Sequence, residues 1–425
     1  MTIRHAALVF GKSIGSCLVL ACLAGLPLHF HITTYAYLAA ALAGSCAIYL
    51  WTRPSRQSLV CTVVLGAAFA IFYAIVTGEP VLPSSPAFLG LGSLASLALA
   101  ALWSTPERRS ANLDTCTTAA LFPMFLITSG LALGMTTALH PKTFDLFLYA
   151  FDARLGMQPS FLVGRFFARF HAIRYGCYLG YEALPLAMAI AFAMERSRRA
   201  RRSSSLMLAF MIAAVGGFVL YNLFPAVGPI HVFGKQFPNL PPPAGPAPFH
   251  LVAIESAPRN AMPSVHIAMA LLILWNSRLG PRVWRMVAAM LLGVTVLATL
   301  GFGEHYLVDL FVAVPFTLAA QGLATASLPW RTSERIAATA VGGALVAGWL
   351  MYLRMPTPAP AGGGWAWSLL LGTAVVAVVL EWRLNRVTLA LNYQTLRQPD
   401  VARFEPACAP YGLGSRTPAG SMSAE

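Results

Sequence analysis

Long apolar runs separated by short polar links dominate the chain. A helix that crosses a bilayer needs about 20 mostly apolar residues. Runs of that kind lie near 13–31, 34–52, 58–77, 86–104, 115–138, 172–194, 204–224, 263–277, 286–303, 305–326, 336–353 and 365–382. They predict twelve spans, and with them an all-α, polytopic membrane helix bundle. The run beginning near 263 is short and carries Pro263, Ser264 and His266 at its start. A proline fits the first helical turn, where its missing N–H costs least. The first run follows Arg4 and Lys12 as a signal peptide would. Its flank Leu-Pro-Leu-His-Phe-His makes a poor cleavage site, and a second span follows at once, so it reads as an uncleaved anchor.

The segments between the runs divide the chain further. Residues 1–104 form an N-terminal four-helix membrane segment of plain apolar helices with small residues, which favour close packing in lipid. Residues 139–171 are rich in Phe, and Phe144, Leu148, Phe151 and Leu155 recur at helical spacing. That pattern predicts an amphipathic helix lying at the interface. It reads as a structural cuff or, alternatively, as a platform for a lipid headgroup. Residues 225–262 are Pro-rich and low in charge, so they cannot be helical and should cap one surface. Two more membrane helices occupy 336–382, and the polar stretch 393–425 reads as a disordered cytoplasmic tail. No internal repeat is visible, unlike the duplicated halves of many transporters.

Composition agrees with lipid as the solvent, since 57% of residues are hydrophobic and only 10% charged, against about a quarter in soluble domains. The net charge of +14 raises nucleic-acid binding, but the basic residues sit in short loops with no basic face interleaved with aromatics. Counting Lys and Arg by alternate loops with the amino terminus inside places 21 of 29 in the cytoplasm, Arg53, Arg56, Arg108, Arg109, Arg278, Arg282 and Arg285 among them. Both termini are then cytoplasmic, and the loops after the first and third spans carry no basic residue. Six of the seven cysteines lie in apolar segments without metal or CxxC spacing, so they read as small buried hydrophobes.

Two places carry chemistry. One is Ala257-Pro258-Arg259-Asn260-Ala261-Met262-Pro263-Ser264-Val265-His266, and the other is Gly301-Phe302-Gly303-Glu304-His305-Tyr306-Leu307-Val308-Asp309. One helical hairpin separates His266 from His305, which returns the second histidine to the depth of the first on the non-cytoplasmic side. His305 and Asp309 share a helix face at i and i+4. A carboxylate there can hold one imidazole nitrogen and leave the other to attack. Ionisable groups at a membrane helix end mark function by default, and catalysis is the expectation. Metal binding by His266, His305 and Asp309 is the alternative, weakened because zinc catalysis normally takes three protein ligands in tight register.

Pro-Ser-Val-His followed by His-Tyr-Leu-Val-Asp resembles the type 2 phosphatidic acid phosphatase superfamily. The stretch Tyr221-Asn222-Leu223-Phe224-Pro225-Ala226-Val227-Gly228-Pro229 is similar to its inositol phosphorylceramide synthase-like branch, where Val or Leu can replace the motif's Gly. The resemblance covers residues 115–326 and implies a six-helix catalytic core. It implies that His305 is the nucleophile, Asp309 its orienting carboxylate, and His266 the general acid and then base. Ser264 would bind phosphoryl oxygens, and the reaction would need no metal or other cofactor. The implied partner is a phospholipid or other lipid phosphate in a bacterial inner (plasma) membrane, with no nucleic acid. Where the phosphatase pattern has Ser-Arg before the second histidine, this chain has Ala298-Thr299, and the Lys-x6-Arg-Pro element is absent. Phosphoryl transfer needs positive charge near the equatorial oxygens. Arg259 is the expected substitute, with Lys235 and Arg174 behind it. The missing arginine favours an inositolphosphotransferase-like enzyme of sphingolipid metabolism over a simple lipid phosphate or prenyl diphosphate phosphatase. A twelve-helix transporter or flippase is the rival of another class.

Overall fold

The computed structural model describes residues 36–78, 81, 85–197, 206–241, 250–355 and 363–397. Among them the β structure is a single antiparallel pair, Lys142–Thr143 (β1) with Val252–Ala253 (β2), and the rest of the regular structure is helical. The helices are α1 (Ala36–Trp51), α2 (Arg56–Thr77), α3 (Ser85–Trp103), α4 (Pro106–Leu139), α5 (Asp145–Ala153), α6 (Pro159–Arg169), α7 (His171–Glu182), α8 (Leu184–Ser197), α9 (Leu206–Leu223), α10 (Pro229–Phe233), α11 (Val265–Asn276), α12 (Arg282–Gly301), α13 (Leu307–Ala324), α14 (Ser333–Arg354) and α15 (Gly364–Arg397). Eight of the described helices are long and apolar enough to cross a membrane, or nine if α7 and α8 form one bent span. The chain is an integral, multi-pass membrane protein. The first expected span and the tail beyond residue 397 lie outside the described residues. Two other expected spans correspond to helices short for a crossing, α1 with 16 residues and α11 with 12.

Local chemistry explains several boundaries. Ser55 caps α2 by accepting the Ser58 N–H, and Gly78 ends it in the left-handed region. The expected continuous span 172–194 is instead broken between α7 and α8 by a 48° bend. Pro185, the second residue of α8, lacks the N–H that would bond Tyr181 four residues back, and its ring crowds that carbonyl. Pro263 also departs from expectation. It stands before the N-cap Ser264 rather than inside α11.

Small residues bring the first helices into close contact. A Cβ on Gly90 would come within 2.0 Å of the Leu42 carbonyl oxygen, and one on Gly92 within 2.2 Å of the Thr62 carbonyl. Backbones therefore touch where α3 meets α1 and α2, the mode that replaces hydrophobic driving force within lipid. Helix α1 also packs on α4 and α8, so the N-terminal helices are continuous with the rest of the bundle. Buried Arg335 on α14 donates to the carbonyls of Gly322, Leu323 and Leu328 and closes the end of α13.

Candidate active site

The two histidine segments meet through a strut. In the stretch 221–229, the Ala226 carbonyl accepts the Ala261 N–H at 3.0 Å. Gly228 (φ +94°) lies so close to the second segment that a Cβ there would sit 2.3 Å from the Glu304 carbonyl oxygen. Only glycine fits both that backbone angle and that gap. The next residues continue the contact, since the Ile230 N–H donates to the Gly303 carbonyl at 3.0 Å. The motif ahead of the first histidine thus holds the loop of one histidine against the loop of the other.

Within this frame His305, Asp309 and Ser264 come together, all fully or almost fully buried. The Ala261 carbonyl lies 2.8 Å from His305 Nδ1, and the Ser264 hydroxyl lies 3.1 Å from His305 Nε2. A carbonyl can only accept, so Nδ1 carries the proton and Nε2 presents its lone pair toward Ser264. Asp309 Oδ2 stands 3.5 Å from Nδ1 and accepts the Tyr306 N–H at 2.8 Å. The carbonyl of Ala261 is therefore the closer holder of the ring, and Asp309 adds a negative charge beside it. Asp309 Oδ1 is buried with no hydrogen-bond partner among the described residues.

His266 is the partly exposed member. Its ring centroid lies 6.4 Å from that of His305 at 68°. Tyr181 stacks on it at 4.5 Å with its hydroxyl 3.2 Å from Nδ1, and Tyr37 meets it edge-on at 5.7 Å. Tyr37 belongs to α1, far from the histidines in sequence. Beside these rings opens a cavity of about 330 Å³ whose walls are mostly apolar and which reaches His266 and Asn260.

Arg259 is not with this group. Its guanidinium is buried and donates to the carbonyls of His140, Ala257 and Ile254 at 2.8, 2.5 and 2.6 Å. Burial lowers its pKa, opposed by the nearby Asp145. In this arrangement Arg259 binds the outer loops together, and its cationic edge is already occupied. Lys235 and Arg174 are exposed. At the start of α11, Ser264 Oγ accepts the Ile267 N–H, so that group is already engaged.

Two carboxylates on α5 support the site without having been singled out in the sequence. Asp152 accepts the Leu307 and Val308 N–H groups at 2.7 and 3.2 Å, capping the helix that bears Asp309. Burial pushes its pKa up to about 8 against those two bonds. Asp145 accepts the N–H groups of Val227 and Gly228, and burial raises its pKa as well. Ser160 at the start of α6 donates to the His305 carbonyl at 2.7 Å. The amphipathic segment expected at the interface is thus a brace for both histidine segments. Asp145 and Asp152 share a helical face with buried Leu148. Among the described residues no group of three or more His, Cys, Asp and Glu side chains is arranged to hold a metal ion.

Residues 146–323 match the model of the family described as the PAP2 superfamily. No curated protein and no solved structure matches the chain. The match supports the superfamily that the motifs resemble, and with it an enzyme of phosphatase or phosphotransferase type on membrane-embedded helices.

Proposed function

With residues 146–323 taken as a PAP2-superfamily core, we propose that the chain transfers a phosphoryl or phospho-alcohol group from a lipid through a phosphohistidine on His305. The observation that carries this reading is the state of the His305 ring, whose Nδ1 faces the Ala261 carbonyl while Nε2 is open toward Ser264. His305 Nε2 attacks phosphorus, the bond to the lipid oxygen breaks, and His266 protonates the leaving alkoxide. The phosphorylated ring is cationic, and Asp309 lies beside it to stabilise that charge. His266 then takes the proton of the acceptor hydroxyl, whose oxygen attacks phosphorus and frees His305. Ser264 contacts the phosphoryl oxygens. Arg259 holds the loop that supplies the Ala261 carbonyl, so its part in phosphate binding is indirect in this conformation.

The acceptor is a lipid hydroxyl in the reading we favour, as in an inositol phosphorylceramide synthase-like enzyme. His266, the group that would activate the acceptor, borders an apolar cavity rather than open water. The reading keeps residues 115–326 as the catalytic core of a twelve-span chain, with the site on the non-cytoplasmic face. Tyr37 opens α1 at the level of His266, while Arg53 follows the other end of that helix, which supports the site lying opposite the basic loops.

The test is a lipid labelled in its phosphate, offered to the purified full chain in vesicles with a long-chain amino-alcohol lipid. Transfer of label to that lipid is expected, with an acid-labile, base-stable phosphoenzyme that disappears in His305→Ala. Release as inorganic phosphate alone would replace the transferase by a phosphatase. Label that crosses the bilayer unchanged would leave a transporter.

A further inference from the structure

The cavity beside His266 runs along a candidate membrane-spanning helix. Its wall follows α4 from Leu133 to Phe122, about 16 Å at the rise of an α-helix. Tyr37, Met188, Phe218 and Met269 line it from other helices, and two of its polar members, His266 and Asn260, belong to the segment entering α11. Thr128 on α4 and Val215 on α9 also line it and are exposed, Val215 to 59%. The cavity therefore has a sideways mouth between α4 and α9, on a surface that meets lipid. An apolar cavity of this kind excludes isolated waters and accepts hydrocarbon.

Eight of the 18 lining residues precede residue 146: Tyr37 on α1, and seven on α4 between Phe122 and Leu133. We propose that the hydrocarbon chain of the lipid phosphate lies in this cavity, entering between α4 and α9, and that α1 and α4 determine which chains are accepted. The helices before the family-matched stretch are then part of the specificity apparatus. Tyr37 links the two functions, because it lines the cavity and meets the His266 ring. This inference rests on the reading of His266 and His305 as a lipid-phosphate site.

Two measurements on the full chain separate the inference from that reading. In the first, alkyl monophosphates of increasing chain length are turned over by the wild type and by Ser129→Phe, which narrows the cavity partway along its Leu133–Phe122 wall. The ratio of kcat/KM for a long-chain phosphate to that for a butyl phosphate should fall about tenfold in the variant. An unchanged ratio would overturn the assignment. In the second, an alkyl phosphate with a photoreactive diazirine at its chain end is bound to His305→Ala. Labels should map to 122–133 and 214–218. Labels confined to the lipid-facing surface of α2 would overturn the chain site even if turnover is normal. Labels in the cavity without any wild-type turnover would keep the chain site and remove the phosphoryl-transfer reading.

Discussion

Asp309→Asn separates two roles that the geometry assigns to different groups. If the Ala261 carbonyl at 2.8 Å fixes the His305 tautomer, the variant keeps Nε2 unprotonated and loses only the charge 3.5 Å from Nδ1. Two unit charges at that separation interact by roughly 5 kcal/mol at an effective dielectric constant of about 20. Because the phosphohistidine and the transition state leading to it carry the positive ring, most of that energy is lost from the barrier. The rate of phosphoenzyme formation should fall about a thousandfold. Stability should also drop, since an amide oxygen that keeps the Tyr306 N–H bond puts the NH2 where Oδ1 now has no partner. A buried unpaired donor costs about 1–3 kcal/mol. The assay is single-turnover labelling of purified protein with excess enzyme over labelled lipid phosphate, beside a thermal melt in the same detergent. A loss below tenfold would refute the electrostatic role. A loss as complete as in His305→Ala, with the melt unchanged, would show that the carboxylate rather than the carbonyl sets the tautomer.

Ser264→Ala removes both the hydroxyl facing His305 Nε2 and the α11 cap. It should lower kcat/KM and destabilise the protein by about 1 kcal/mol, measured by turnover and melting; an unchanged kcat/KM would take Ser264 out of the site. Gly228→Ala forces a Cβ into the Glu304 carbonyl at φ +94°. It should melt well below the wild type and lose turnover even though no reacting group changes, and a wild-type melt would show that the strut yields. The pKa of Asp152 is about 8 in the folded protein, against about 3.9 when unfolded. The folded chain therefore binds the extra proton between those values, and stability falls as pH rises from about 4 to about 8. Asp152→Asn should flatten that slope in melts across the range, and an unaltered slope would exclude Asp152 as its source.

The sequence made the helices legible wherever a long apolar run met clear caps, and it placed both histidine segments on one helical hairpin. The features it hid are of two physical kinds. The bend at Pro185 was visible as a residue but not as a consequence, since a proline in a membrane helix can also be absorbed by its neighbours. The contacts of Tyr37 with His266, of Asp152 with α13 and of Arg259 with three carbonyls join residues distant in sequence, and no local periodicity encodes them. Arg259 illustrates the difficulty most clearly. Its position seven residues before His266 suggested a phosphate ligand, whereas the fold turns its guanidinium toward main-chain oxygens.

The partner that holds His305 Nδ1 belongs to the main chain, and this changes what mutation can do to it. All twenty amino acids carry the same carbonyl at position 261, so no codon change there deletes the acceptor. The choice of attacking nitrogen is therefore insulated from drift at that residue. It becomes vulnerable only through changes that reroute the loop, and these fall at Gly228, Arg259 and the other positions that hold its path.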